Sequence, residues 1–258
     1  MRNVILFDLD DTLIAQDACD DAAFHAVCDF AHRQRGVDAG ALDHAVRPIA
    51  RQLWRAAPTS PYTDRIGISY IEGLWGRFSG DESELRTLHD WAPTYRREAW
   101  SRALKECAVD DVVLAEELAA LFGQERRARR FVFLDTAPAL RGLRANYRMG
   151  LITNGAPDLQ REKLVHSGLE PFFDAIIVSG EVNVGKPDPR IFALALERLG
   201  ARPDEAAMVG DSPARDITGA LNAGVRAIMI KRAGLQRDLV GITPDAEIAT
   251  LDQLRAVL

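Results

Sequence analysis

Four apolar residues at positions 4–7 run without alternation into the polar stretch Asp8-Leu-Asp10-Asp11-Thr12. Such a run, rich in β-formers, predicts a strand buried on both faces. The rhythm then changes. Phe24, Val27, Cys28 and Ala31 recur at helical spacing and stop at Gly36, a natural helix C-terminus. Leu42, Val46, Ile49 and Leu53 repeat the pattern, with Pro48 predicting a kink or a break. Residues 62–75 follow Pro61 and are broken by glycines, Gly67 and Gly73 within and Gly76 beyond, so only part is expected to be helical. Residues 83–91 and 94–106 predict two helices separated by Pro93, and Leu114, Leu118, Leu121 and Phe122 mark a last one. No strand-like alternation interrupts this region, which reads as an all-helical insert over residues 16–130.

From residue 131 the pattern becomes strand, loop, helix. A helix over 137–146, with Thr136 as N-cap candidate, leads to a strand at 149–153. A polar helix at 157–167 ends at Gly168, and the next strand is 175–179. Asp188-Pro189 places an N-cap before a proline at the first helical position, and that helix closes at Gly200. A strand at 206–209 is followed by a helix from Ser212-Pro213 to Asn222, then by a strand at 226–230. Thr250 and Gln253 resemble a capping box for a short final helix. Strands alternating with helices imply a parallel sheet with right-handed crossovers. The expected architecture is therefore α/β: a three-layer Rossmann-like core from residues 1–15 and 131–258, with the helical domain of residues 16–130 inserted over the strand edge.

Composition narrows the class without changing it. The chain has 258 residues, 47% hydrophobic and 27% charged, ordinary values for a globular protein. A net charge of −6 argues against nucleic acid as a partner. No apolar run approaches the roughly 18 residues that span a membrane. The first strand begins at once, leaving no room for a signal peptide. Cys19, Cys28 and Cys107 are scattered and have no metal-ligand spacing, as expected of reduced thiols in the cytoplasm. Oligomeric state is not legible.

The chemistry gathers where strands end. Asp8 and Asp10 follow the first strand, and Thr153-Asn154-Gly155 end the second. Lys186 lies in the loop after the third, and Gly210-Asp211 with Asp216 follow the fourth. Open α/β sheets place ligands at that carboxyl edge. A phosphate ester arrives as a dianion and needs cations and donors, which Thr153, backbone N–H groups and Lys186 supply. The acids are in excess. Two carboxylates 4 Å apart repel by about 4 kcal/mol at an effective dielectric near 20. The cluster must take up protons or recruit a divalent cation, and all-oxygen ligands favour Mg²⁺.

In chain order and residue type these groups resemble the haloacid dehalogenase-like (HAD) hydrolase superfamily. Its four motifs stand here as Asp8-x-Asp10-x-Thr12, Thr153-Asn154-Gly155, Lys186 before Pro187, and Gly210-Asp211-x4-Asp216. The helical insert is similar to that superfamily's first type of cap. The resemblance implies that Asp8 attacks phosphorus and forms an aspartyl-phosphate. It implies that Asp10 protonates the leaving alcohol and then activates water, and that Thr153, Asn154 and Lys186 hold the phosphoryl group. Mg²⁺ would be bound by Asp8, the backbone carbonyl of Asp10, and Asp211, with Asp216 in support. Asp10 argues against the metal-free dehalogenase branch, which lacks an acid there. The stretches around residues 151–163, 173–178 and 208–224 look most like the N-acylneuraminate-9-phosphatase group. The expected activity is hydrolysis of a small phosphorylated metabolite, whose leaving group the cap reads. A phosphotransferase of the phosphoglucomutase type uses the same groups. A phospho-aspartate signalling receiver shares the acids, the Thr and the Lys, but has neither a large cap nor a second acid two residues on.

Other features read as structural. Gly180-x4-Gly185-Lys186 approaches a P-loop, but Pro187 lacks the hydroxyl and the N–H that loop requires. The basic run over residues 125–130 predicts a solvated helix end near the hinge. The five histidines show no ligand spacing. Trp54, Trp75, Trp91 and Trp100 all fall in the insert as expected core, with the glycine-broken stretch 62–75 positioned to touch substrate. Asp11 and Asp17 read as turn or hinge residues.

Overall fold

The computed structural model describes residues 3–235 and 241–258. Strand β1 (Val4–Phe7) leads into six helices: α1 (Gln16–Arg35), α2 (Ala39–Arg55), α3 (Ser60–Ile66), α4 (Tyr70–Trp75), α5 (Ser83–Glu106) and α6 (Val112–Ala128). After them come α7 (Thr136–Leu143), β2 (Arg148–Thr153), α8 (Pro157–Ser167), β3 (Ala175–Val178), the single turn α9 (Ser179–Val182), α10 (Pro189–Leu199) and β4 (Ala206–Gly210). The chain closes with α11 (Thr218–Asn222), β5 (Arg226–Ile230) and β6 (Ala246–Ile248).

Among the described residues the strands form one six-stranded sheet in the order β3-β2-β1-β4-β5-β6, and every pairing is parallel. β1 is central, and its four side chains are fully buried. They alternate between two cores. Ile5 and Phe7 join Leu151, Val209 and Ile228 on one face, and Val4 and Leu6 join Ile152, Met208 and Met229 on the other. Burying a side chain of this size contributes about 1.5–3 kcal/mol, which fixes the strand's register and hence the point where Asp8 leaves the sheet. Helices α7 and α8 pack on the first face, and α10 and α11 on the second. The strand order reverses direction between β1 and β4, where a crevice opens at the carboxyl ends.

Helices α1–α6 share a third core, with Phe24, Trp54, Trp75, Tyr95, Trp100 and Phe122 at its centre, and Ala156 and Leu159 at the start of α8 pack against it. Here the expected breaks do not occur. α5 runs continuously through Pro93, and α2 through Pro48. An interior proline costs about 3 kcal/mol, but Leu85, Leu88, Ala92, Tyr95, Ala99 and Trp100 line one buried face of α5. Burial of that face outweighs the lost hydrogen bond.

Other details also differ. The helix expected over 137–146 ends at Leu143, and Asp135 rather than Thr136 precedes its first turn. The helix expected from Pro213 to Asn222 is two pieces, a π turn over Pro213–Ile217 and then α11. Strand β6 comes after a polar segment and has only three residues, too few for a hydrophobic period. The final helix is a 3₁₀ turn without a Thr250 cap, and Gln253 Oε1 instead accepts from the Ala249 N–H at 2.7 Å.

Candidate active site

Asp8 is delivered by β1, its N–H bonded to the Val209 carbonyl of β4 at 3.0 Å. Both carboxylate oxygens are held. Lys186 Nζ lies 2.6 Å from Oδ1, and Thr12 Oγ1 donates to Oδ2 at 3.0 Å. Thr12 in turn accepts from the Asp211 N–H at 3.1 Å, which ties the loop after β1 to the loop after β4. The carbonyl of Thr12 is gripped by the buried guanidinium of Arg232, at 3.1 and 2.7 Å. Arg232 also pairs with Asp135 at 2.7 Å. Neither Arg232 nor Asp135 carries a signal in the sequence, because each works through a backbone atom or a partner distant in the chain.

Lys186 also stands 2.6 Å from Asp216 Oδ1. Its backbone is fixed by the Asn154 amide, which donates to the Lys186 carbonyl at 2.9 Å and accepts from the Lys186 N–H at 2.9 Å. The Asn154 side chain thus places the lysine. Thr153 lies below it, donating to Gln160 Oε1 at 3.2 Å. The π turn brings Asp216 back over the end of β4, where its Oδ2 accepts from the Ser212 N–H at 2.9 Å. Only glycine fits at position 210, since a Cβ there falls on the Asp216 carboxylate.

Asp8, Asp211 and Asp216 each offer an oxygen, and these three oxygens lie within 4.8 Å of one another in buried surroundings. Burial pushes Asp8 up to about 8; Lys186 opposes this, while Asp216, Asp211 and Asp10 push the same way. For Lys186, burial works against the charge, but Asp216 and Asp8 raise it above the ordinary lysine value. Three buried carboxylates against one ammonium leave surplus negative charge. An all-oxygen donor set of this size fits a hard divalent cation. The Asp10 side chain is not part of this cluster. Its Oδ2 accepts from Lys163 Nζ at 2.8 Å and from Gln160 at 3.3 Å.

These groups open into a cavity of about 590 Å³, lined on the sheet side by Asp8, Asp10, Asn154, Lys186, Asp211 and Asp216. Thr153 does not reach it. The helical side contributes Arg47 and Arg51 from α2, and Ser69, Tyr70, Ile71 and Glu72 around the start of α4. The glycine-broken stretch does face the pocket, although Trp75 lies elsewhere. Asp11 and Asp17 line the cavity as well as shaping its turn, with Asp11 at φ 58° accepting from the Asp17 N–H at 2.9 Å. Arg47 is committed to Asp21 at 2.7 Å and Asp43 at 2.8 Å. Arg51 has no carboxylate partner among the described residues. It sits 4.9 Å from the Tyr70 ring and 3.4 Å from its hydroxyl.

The basic run near the hinge departs from expectation. Arg126 is buried rather than solvated, ion-paired with Asp20, 2.9 Å from Gln16 Oε1 and 4.8 Å over the Trp75 ring. Burial pushes Asp20 up to about 6, opposed by Arg126. A run of charges carries no period from which its one inward member is legible.

The comparisons agree with this geometry. The family model described as haloacid dehalogenase-like hydrolase matches residues 3–224. The phosphoserine phosphatase of Thermus thermophilus is 41% identical over 253 residues, 97% of each chain. The human N-acylneuraminate-9-phosphatase is 32% identical over 198 residues, 76% of each. Among solved structures, the putative HAD-hydrolase YfnB of Bacillus subtilis, bound to magnesium, superposes with a TM-score of 0.68 at 22% identity, covering 100% of this chain and 98% of that one. With the four motifs converging on one cavity and the match spanning most of its length, this chain belongs to the haloacid dehalogenase-like hydrolase family.

Proposed function

We propose that this protein is a Mg²⁺-dependent phosphomonoesterase of the cytoplasm that works through a phosphorylated Asp8, with the helices of residues 16–130 acting as the cap. One observation carries the reading: Asp8 lines a polar cavity with its Oδ1 on Lys186 and Asp10 two residues away. Lys186 orients Asp8 and supplies positive charge to the equatorial phosphoryl oxygens, while Thr153, outside the cavity, holds Gln160. Asp8 attacks phosphorus, the ester P–O bond breaks, and its electron pair leaves on the alcohol oxygen, which takes the proton of Asp10. Asp10, now a carboxylate, takes a proton from the water that cleaves the aspartyl-phosphate. Bound by Asp8, Asp211, the Asp10 carbonyl and Asp216, Mg²⁺ would neutralise charge on the phosphoryl oxygens.

The substrate we favour carries a carboxylate in addition to its phosphate. Arg51 faces the cavity without an acid partner among the described residues, where a carboxylate would take both it and the Tyr70 hydroxyl. Phosphoserine and N-acylneuraminate 9-phosphate, named in two relatives, are both of this kind. The test is a phosphate-release screen across these two, phosphoglycolate, sugar phosphates and nucleotides. The expected result is preference for the carboxylates and loss of release on Asp8→Asn or with EDTA. Full activity in the variant or in EDTA refutes the mechanism. Isomerised sugar phosphate without phosphate release points to a phosphotransferase.

A further inference from the structure

Asp10 is tied to a buried cluster that the motifs do not include. Its Oδ2 is shared by Lys163 Nζ and Gln160 Nε2, both on α8. The same two nitrogens also contact Glu72 Oε1 of α4, at 2.9 and 3.1 Å. Glu72 is locked in turn, because its Oε2 accepts from the Ser69 N–H at 2.8 Å while Ser69 Oγ accepts from the Glu72 N–H at 3.1 Å. Glu72, Gln160 and Lys163 are 3%, 0% and 7% exposed, so no exchange with water relaxes the arrangement. The other oxygen of Asp10, Oδ1, is buried and has no hydrogen-bond partner among the described residues.

A core made only for stability has no use for this pattern. An ammonium buried between two carboxylates is a costly way to join two helices, and apolar side chains of equal volume serve as well or better. What it achieves is orientation. With Oδ2 clamped from α8, Asp10 cannot turn about χ2 without losing two bonds, and the unclamped Oδ1 is left for the reacting group. The clamp itself depends on Glu72. Without that carboxylate, Lys163 loses the partner that fixes its far side and is free to follow Asp10 wherever it turns, whereas Gln160 keeps Thr153 and the Asn154 carbonyl.

We propose that Glu72 is a positioning residue: through Lys163 it holds Asp10 in the orientation that delivers a proton to the leaving alcohol. The acid is then set in place only where the helical layer is seated on α8. This rests on the reading of Asp10 as the proton donor, and the experiment separates the two claims.

A poor leaving group, an alkyl alcohol, needs that proton, whereas a good one, a nitrophenolate, hardly does. The readout is alcohol release in the first turnover, expressed as the ratio of kcat/KM for an alkyl phosphate to that for p-nitrophenyl phosphate. Glu72→Gln is expected to lower this ratio by about fivefold or more, a fraction of the 10²–10⁴ that a placed general acid provides. Glu72→Asp, which keeps the charge but retracts it by one methylene, is expected to do the same and carries the test should the Gln variant fail to fold. A ratio lowered by less than about fivefold overturns the proposal, whatever happens to the two rates separately, because mere damage to the helical layer lowers both alike. Asp10→Asn is the control. If it lowers the ratio and the Glu72 variants do not, only the positioning role fails; if it does not, the reading of Asp10 fails.

Discussion

Removing the Lys186 ammonium should unmask the repulsion that it suppresses. Its Nζ lies 2.6 Å from an oxygen of Asp8 and 2.6 Å from one of Asp216. At an effective dielectric of 20, each attraction is about 6 kcal/mol, most of which offsets the cost of burying the charges. In Lys186→Met the two carboxylates remain, no more than 4.8 Å apart, and their mutual repulsion is then at least about 3.5 kcal/mol. Uptake of a proton by Asp8 relieves part of this, so the expected loss in the metal-free protein is about 3–5 kcal/mol, the usual cost of breaking a buried pair. The assay is urea unfolding at about pH 9, where Asp8 is ionised in the metal-free parent, in EDTA and again in millimolar Mg²⁺. A cation seated among the same carboxylates replaces the missing charge, so Mg²⁺ should stabilise the variant more than the parent. A loss below about 1 kcal/mol, or one that Mg²⁺ leaves unchanged, refutes this account of the cluster.

Two further outcomes rest on the same geometry. Gly210→Ala should displace the Asp216 carboxylate and cost about 1–3 kcal/mol in overpacking, with weakened Mg²⁺ binding read by titration calorimetry. Burial holds Asp8 at about 8 in the metal-free protein, so below that pH a cation must displace a proton from it. Apparent Mg²⁺ affinity should therefore rise up to about tenfold per pH unit toward 8 and then level off, with proton release seen as a dependence of the heat on the buffer. Affinity independent of pH between 6 and 8 contradicts a protonated Asp8.

Strands β1–β5 were legible because they are short apolar runs closed by turn signals, and burial of such runs inside the sheet leaves them no other use. Asp8 and Asp211 were legible because charge directly after a buried strand has no packing explanation, and Lys186 and Asp216 because they stand in the segments that follow β3 and β4. Pro48 and Pro93 misled, since local propensity does not report the tertiary burial that overrides it. Glu72 and Lys163 stayed hidden for a different reason. Each looks like a solvated charge on its own helix, and only the packing of α4 against α8 turns both inward. Asn154 was legible as a site residue, while its work on the Lys186 backbone was not, because which atoms an amide meets is decided by two loops that the sequence keeps 32 residues apart.

The position of β1 in the sheet has a consequence for how the protein is made. Val4–Phe7 leaves the ribosome well before both of its neighbours, β2 at Arg148–Thr153 and β4 at Ala206–Gly210. At about 5–20 residues per second, roughly 7–30 s of synthesis separate β1 from its first partner. During that interval the core of α1–α6 can close on itself from local contacts, but four adjacent apolar side chains have nothing to pair with. The segment that later carries the nucleophile is thus, in the nascent chain, an unpaired sticky strand. It is the place where a chaperone would be expected to bind and where misassembly with a second nascent copy would begin.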